Sequence, residues 1–205
     1  MKRREFFKLG AQKAVEITTE VIKAKAVLRA DDWLRPPFAK PETEFLNLCT
    51  RCDACITACP HDVLFKLPAR LGGRAVDTPA MDLGNKGCHM CADWPCVVAC
   101  EPLALALPEP TEDDAPIPPI PPKLAHLTIN QKTCLPYAGP ECGACADSCP
   151  VPSALTWPDR LRPVIDQAAC TGCALCREAC IVDPKAIDIR AWLADDLMPA
   201  AEITG

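Results

Sequence analysis

Sixteen cysteines constrain this chain of 205 residues more than any other feature, because they fall into four groups of four with none left over. Two groups have the compact spacing C-x2-C-x2-C-x3-C: group one is Cys49, Cys52, Cys55 and Cys59, and group four is Cys170, Cys173, Cys176 and Cys180. Two groups are expanded: group two is Cys88, Cys91, Cys96 and Cys100, and group three is Cys134, Cys142, Cys145 and Cys149. Such a fourfold repeat predicts four sites of one kind.

The spacing indicates which kind of site this is. A C-x2-C-x2-C segment can wrap one face of a [4Fe–4S] cluster, and in two-cluster ferredoxins the fourth cysteine ligates the other cluster. Disulfides do not explain cysteines three apart on tight loops, and a zinc site has no use for a third and a fourth cysteine at this spacing. We therefore expect four [4Fe–4S] clusters, with all sixteen cysteines as iron ligands.

The cysteine spacing constrains the pairing of the groups less than it constrains the identity of the cofactor. If groups of like spacing share a role, group one exchanges its fourth cysteine with group four, and group two with group three. In this nested arrangement Cys59 completes the site of group four and Cys180 that of group one, while Cys100 and Cys149 are exchanged likewise. The sequential alternative pairs group one with two and group three with four. We expect the nested arrangement.

A proline-rich stretch divides the cysteine-bearing region into two parts of similar size. Seven of the fifteen residues in 108–122 are proline and four are acidic, which predicts an extended linker. On either side, residues 33–107 and 123–205 each contain two cysteine groups. Short strands are expected at Val63–Lys66, Ala125–Ile129, Leu155–Trp157, Val164–Asp166 and Ala186–Arg190, and single-turn helices around CVVAC and CREAC. The predicted fold class is α+β, with two ferredoxin-like units of two clusters each.

Residues 1–32 read as a charged helix. The start MKRREFFKLG resembles a twin-arginine export signal through Arg3 and Arg4, but Lys13, Glu16 and Glu20 interrupt the apolar stretch that export requires. We therefore expect a cytoplasmic protein, with export to the periplasm by a twin-arginine route as the alternative. The apolar stripe of this helix is expected to pack on the body of the protein or on a partner.

Other features exclude whole classes of function. The formal net charge of −5 argues against nucleic acid as a partner, and no apolar run is long enough to predict a transmembrane helix. No nucleotide-binding glycine loop and no nucleophile–base pair stands out, so the chain is expected to be an electron carrier rather than an enzyme. His61 and His89 lie beside cysteines but are expected to be solvated or hydrogen-bonded, and Trp94 and Trp157 to be packing residues.

Three segments carry a resemblance to a known family. The stretch LRPPFAKPETEFLNLCTRCDACITACP is similar to the opening of the ferredoxin-type proteins of the NapG/MauM and NapF families. The insertion in CADWPC resembles NapG and MauM, the spacing of group three is shared with NapF, and the ending CIVDPKAI is again similar to NapG. The similarity extends over about residues 33–190.

The resemblance implies a four-cluster protein that relays electrons, in NapG from a quinol-oxidising membrane partner toward a reductase. All sixteen cysteines fall on the ligand positions of the family. NapF-like proteins are instead cytoplasmic and linked to maturation of a molybdenum reductase. The leading hypothesis is therefore a relay between a redox donor and an acceptor, a reductase or a quinol-oxidising membrane protein. The alternative is a NapF-like maturation or assembly factor for a molybdenum or other iron–sulfur oxidoreductase.

Overall fold

The computed structural model describes residues 33–71, 73–108 and 120–191, which include all sixteen cysteines. The predicted N-terminal helix and most of the proline-rich linker lie outside the described residues. Within them there are five short helices: α1 Glu42–Leu48, α2 Ala54–Ala58, α3 Pro95–Val98, α4 Leu135–Ala138 and α5 Leu175–Glu178. No described helix is long and apolar enough to cross a membrane.

Six short strands accompany the helices in the described part of the chain: β1 Leu64–Lys66, β2 Pro79–Met81, β3 Ala125–Ile129, β4 Leu155–Thr156, β5 Val164–Ile165 and β6 Ile187–Ala191. They pair antiparallel as β1 with β2, β3 with β6 and β4 with β5. In the longest ladder, Ala125 lies opposite Ala191 and Ile129 opposite Ile187. Short 3-10 turns occur at Ala69–Leu71 and Pro158–Arg160. This mixed architecture confirms the predicted α+β class.

The predicted strands are confirmed to within one residue at each end, and the two single-turn helices occur as α3 and α5. Strand β2 was missed. It begins with Pro79, which has no backbone N–H to donate, and its three residues are too few to show the alternation expected of a strand. All three are buried, so burial against the neighbouring segments, rather than local propensity, accounts for this strand.

One hydrophobic core extends through both parts of the chain. It contains Phe45, Leu83 and Leu105 from the first part and Leu127 and Ile187 from the second. Buried cysteines from all four groups belong to the same core: Cys55, Cys96, Cys145, Cys173 and Cys176. Because thiol-bearing residues occupy so much of the interior, what those thiols bind decides how well the core is filled.

The two parts of the chain meet through groups two and four. The backbone N–H of Cys88 donates to the carbonyl of Cys173 at 2.7 Å. The Nε atom of Arg177 donates to the carbonyl of Gly84 at 3.0 Å, and the backbone N–H of Gly87 donates to the carboxylate of Glu178 at 2.8 Å. These bonds join loops that are more than eighty residues apart in the chain.

Candidate metal centres

Three of the four cysteine groups share one local backbone conformation. A non-glycine residue with left-handed backbone precedes a short helix: Asp53 before α2, Trp94 before α3 and Ala174 before α5, with φ of 64°, 45° and 64°. The third cysteine of the group is then the second residue of that helix. This turn carries the chain from the cysteine loop into the helix and buries the thiol of the third cysteine, at Cys55, Cys96 and Cys176.

Set one consists of the first three cysteines of group one and the last cysteine of group two. Phe45, Pro79 and Leu105 form apolar walls of a cavity that is also lined by Cys49, Cys52, Cys55 and Cys100. Burial first, and then repulsion from the thiols of Cys100 and Cys49, raises the pKa of Cys55 to about 11. Cys52 is exposed, whereas the other cysteines of the chain are buried or half-buried.

Set two consists of the first three cysteines of group two and the last cysteine of group one: Cys88, Cys91, Cys96 and Cys59. Burial, followed by the neighbouring thiols of Cys88 and Cys59, raises the pKa of Cys96 to about 12. The pKa of Cys88 is raised to about 11, chiefly by burial, and the thiols of Cys173, Cys91 and Cys59 are among its neighbours. Set two therefore contacts group four.

Set three repeats the arrangement of set one in the second part of the chain. Its cavity is lined by Cys134, Cys142, Cys145 and Cys180 together with apolar residues such as Ile129 and Ile187. Burial first, then repulsion from Cys134 and Cys180, raises the pKa of Cys145 to about 11.

Set four consists of Cys170, Cys173, Cys176 and Cys149. Burial, then the neighbouring thiols of Cys173 and Cys170, raises the pKa of Cys176 to about 12. Cys149 lies close enough to contribute to the raised pKa of Cys170 and of Cys173, in both cases after the larger effect of burial.

The nested pairing expected from like spacing is therefore wrong. Cys59 lies with Cys88, Cys91 and Cys96, and Cys180 lies with Cys134, Cys142 and Cys145, so group one is paired with group two and group three with group four. The physical reason is packing. Helix α2, which follows the first loop, packs on α3, which follows the second, and this contact brings the last cysteine of each group to the other loop.

The donor sets fit iron–sulfur clusters. All sixteen thiols are free of disulfides, each set offers four sulfur ligands, and apolar residues line the cavities of sets one and three. Backbone N–H groups of Leu105 and Gly172 donate to the sulfur atoms of Cys100 and Cys170 at 3.3 and 3.4 Å, as amides around cluster ligands do. No three His, Cys, Asp or Glu side chains in the described residues are close enough to hold a single metal ion.

Basic side chains at the carbonyls of three cysteines were not found by sequence reasoning. Lys123 donates to the carbonyl of Cys170 at 2.6 Å, Arg51 donates to that of Cys49 at 3.0 Å, and Lys185 donates to that of Cys180. The positive charges lie where clusters bound by four thiolates would add negative charge. Arg51 and Lys185 are close to their cysteines in the sequence, but Lys123 and Cys170 are 47 residues apart.

Two histidines and two tryptophans lie near the cysteine sets. The rings of His61 and His89 stack beside set two, with centroids 3.6 Å apart and planes 8° from parallel. Trp94 is buried and meets Phe38 edge to face at 4.8 Å, which confirms its packing role. Trp157 lines the cavity of set three.

Comparison with known proteins identifies ferredoxin-type relatives. The family described as 4Fe-4S binding domain matches residues 45–65. The methylamine utilization ferredoxin-type protein MauM of Methylophilus methylotrophus is 31% identical over 199 residues, which cover 90% of this chain and 82% of that protein. The ferredoxin-type protein NapG of Escherichia coli is 34% identical over 167 residues, 76% of this chain and 69% of NapG.

A third relative and the solved structures complete the comparison. The ferredoxin-type protein NapF of Escherichia coli is 33% identical over 158 residues, 75% of this chain and 84% of NapF. No solved structure matches the chain.

Proposed function

The chain belongs to the ferredoxin-type family of NapG, MauM and NapF proteins, and we propose that it binds four [4Fe–4S] clusters and relays electrons between two redox partners. It is an electron carrier rather than an enzyme, as ferredoxin-type proteins are. Each bound cluster supplies one-electron transfer. We propose that the electrons pass toward a reductase.

The observation that carries the proposal is the convergence of sixteen thiols into four sets of four. In each set three cysteines come from one loop and the fourth from the neighbouring group, as in two-cluster ferredoxins. We assign all sixteen as iron ligands. Residues 33–107 and 123–205 then form two ferredoxin-like units with two clusters each.

The chain's own residues have three tasks in this proposal. The thiols bind iron, and binding holds them as thiolates although burial raises the pKa of the free thiols. The apolar walls of sets one and three exclude water from the clusters. The N–H groups of Leu105 and Gly172 and the ammonium group of Lys123 stabilise negative charge at the sulfur ligands and so favour the reduced state.

We further propose that the protein works in the cytoplasm and that residues 1–32 dock it to its donor or acceptor, a reductase or a quinol-oxidising membrane protein. A chain lacking residues 1–32 should then keep its cluster spectra and lose affinity for that partner. Unchanged affinity would contradict docking through this segment while leaving the relay intact.

The decisive experiment begins with anaerobic preparation and analysis of iron and sulfide. Four clusters correspond to about sixteen irons per chain, and fewer than about twelve would contradict four sites. The reduced protein is then mixed with the oxidoreductase encoded beside it, and electron exchange is followed by the cluster absorbance. The double variant Cys49→Ala with Cys55→Ala, which removes two thiols of set one, should lose one cluster and exchange electrons more slowly than the wild-type protein.

The same experiment separates the relay from the maturation factor. Stable binding to an unmatured enzyme, with clusters that never exchange electrons at useful rates, would favour a NapF-like assembly role and contradict the relay. Rapid exchange without stoichiometric binding is the result expected of a carrier.

A further inference from the structure

We infer that the four thiol sets are arranged in the order one, two, four, three, so that sets one and three are the two ends at which redox partners exchange electrons with the chain. The inference rests on the proposed function and extends it, because it says which sites are terminal. Position along the sequence would instead make sets one and four the ends.

The first and last steps of this order follow from the exchange of fourth cysteines. Set two contains Cys59 from group one, and set one contains Cys100 from group two, so sets one and two share two loops. Sets three and four share Cys149 and Cys180 in the same way. The two sets of each pair therefore lie next to each other, because they are built from the same two loops.

The middle step follows from the contact between the two parts of the chain. The backbones of Cys88 in set two and Cys173 in set four are hydrogen-bonded at 2.7 Å. A Cβ atom on Gly87 would lie 2.7 Å from the Cα atom of Leu175, so no larger residue fits between these loops without displacing backbone. The hydroxyl of Thr171 also lies 3.3 Å from the sulfur of Met90.

Among the described residues, the cavities of sets one and three are not lined by residues of the opposite part of the chain. The cavity of set one is lined by residues between Phe45 and Leu105, and that of set three by residues between Ile129 and Ile187. Each outer cavity is thus built within one part of the chain, whereas the inner sets face each other.

Exposed apolar side chains are concentrated at the same two ends. Of the seven large apolar side chains that are exposed among the described residues, six are close to an outer set in sequence or in space: Val98, Leu103 and Leu107 near Cys100, and Ile181, Leu161 and Val164 near set three. Exposed apolar groups of this kind are typical of surfaces that contact other proteins. The exposed ligand Cys52 also lies at the first end.

Electron paramagnetic resonance of the reduced holoprotein tests the order, because neighbouring reduced clusters show magnetic coupling and distant ones do not. A middle-only variant removes the outer sites through Cys49→Ala, Cys52→Ala, Cys134→Ala and Cys142→Ala. An ends-only variant removes the inner sites through Cys88→Ala, Cys91→Ala, Cys170→Ala and Cys173→Ala. We expect a coupled spectrum from the middle-only protein and two uncoupled signals from the ends-only protein.

Coupling in the ends-only protein, or its absence in the middle-only protein, would overturn the order.

A single glycine substitution in the full holoprotein tests the same order if either of these variants fails to fold. Gly87→Ala should weaken one magnetic coupling while the iron content is unchanged. The control Lys40→Ala, at an exposed side chain outside the four cysteine groups, should leave the spectrum as it is. Equal spectra for Gly87→Ala and wild type would contradict the inference, and a protein without clusters would contradict the proposed function itself.

A second inference concerns Trp157 and rests on a different observation. Its Nε1 atom is buried and is the one buried side-chain polar atom without a hydrogen-bond partner among the described residues. Buried polar groups are almost always paired, so an unpaired indole N–H points to an acceptor that the bound state supplies. Trp157 lines the cavity of set three, where the cysteines alone among the lining side chains carry an acceptor atom.

The geometry points to Trp157 as a donor of an N–H···S hydrogen bond to the sulfur atoms at set three, which raises the reduction potential of that site. Hydrogen bonds to the sulfur atoms are one of the means by which a protein tunes such potentials. Trp157 would act there as a positioning residue, because it tunes the site without ligating iron.

A redox titration monitored by electron paramagnetic resonance tests this role. Trp157→Phe keeps an apolar ring and removes the N–H, so we expect one of the four potentials to fall and three to stay. The shifted signal should be the one absent from a Cys134→Ala, Cys142→Ala variant. Four unchanged potentials, or a shift at another site, would contradict the inference. If Trp157→Phe does not fold, wild-type holoprotein labelled with 15N-tryptophan tests the hydrogen bond directly. A hydrogen-bonded indole nitrogen couples magnetically to the reduced cluster, whereas an unbonded one does not.

Discussion

The backbone N–H of Cys88 donates to the carbonyl of Cys173 at 2.7 Å, and this bond joins a loop of the first part of the chain to a loop of the second. The two residues belong to different thiol sets, each of which shares its loops with one outer set. The same loops carry the bonds from Arg177 to Gly84 and from Gly87 to Glu178. The join between the two parts of the chain is thus also the place where the loops of sets two and four meet.

The pairing of the cysteines can be tested by counting irons. Cys59→Ala with Cys91→Ala removes two ligands of set two, so we expect one empty site and about twelve irons per chain. Cys59→Ala with Cys173→Ala is the matched control, because these residues belong to sets two and four and the pair should damage two sites. Iron and sulfide analysis with Mössbauer spectra separates the two results. An equal loss of iron and sulfide in the two double variants would contradict the assignment of these cysteines to sets two and four.

Gly172 is the position where an added side chain meets the most resistance. A Cβ atom there would lie 1.9 Å from the carbonyl oxygen of Ala125, and the residue has φ of +76°. Gly172→Ala should therefore displace β3 and lower the midpoint temperature at which cluster absorbance is lost. Gly139→Ala is the control, since Gly139 has φ of +125° but open space around it, and its strain alone costs about 1 kcal/mol. A smaller effect at Gly172 than at Gly139 would argue against close packing there.

Arg35 connects the segment before α1 to strand β2. Its guanidinium donates to both carboxylate oxygens of Glu42 at 2.9 and 2.7 Å, to the hydroxyl of Thr78 at 2.9 Å and to the carbonyl of Pro79 at 2.8 Å. Its side chain is 10% exposed and that of Glu42 18%. Because removal leaves a largely buried carboxylate unpaired, Arg35→Ala should lower the free energy of unfolding by about 2–3 kcal/mol.

Lys40→Ala provides the matched control for this prediction. Lys40 and Glu44 are 3.9 Å apart and both are exposed, so loss of that ion pair should cost about 0.5 kcal/mol or less. Denaturant unfolding of the two holoproteins side by side gives the comparison. Equal losses from both variants would show that the bonds of Arg35 contribute no more than a surface pair does.

The free thiols make the iron-free chain sensitive to alkaline pH. Folding raises the pKa of Cys55 and Cys145 from 9.0 to about 11, and of Cys96 and Cys176 from 9.0 to about 12, mainly through burial. The folded iron-free chain therefore retains protons that the unfolded chain releases. The stability contributed by these groups is complete below pH 9 and is lost as the pH rises toward 12.

We accordingly expect the iron-free chain to lose protease resistance between about pH 9 and about pH 12. The holoprotein is the control, because its sulfur ligands are already held as thiolates by iron and do not titrate in this range. Proteolysis at a series of pH values, with a protease active throughout, measures the difference. A holoprotein that loses resistance in step with the iron-free chain would contradict this origin of the effect.

Local pattern sufficed for five of the six described strands and for the grouping of cysteines, but helices α1, α2 and α4 were not predicted. The alternation of Ala125–Ile129 and the run Ala186–Arg190 predicted the strands that form the longest ladder. The nested pairing failed because spacing within a group describes one loop, whereas the partner of a loop is set by how α2 packs on α3. Lys123 was missed for the same reason, since its contact with Cys170 spans 47 residues.

The contact between Cys88 and Cys173 also bears on how such a chain can grow. The contact joins unlike surfaces, because residues 84–88 lead into group two whereas residues 173–178 form the loop and helix α5 of group four. A contact between like surfaces closes on itself, whereas a contact between unlike surfaces can be repeated. A further part with two cysteine groups can therefore join this chain through the same kind of contact without using set one or set three.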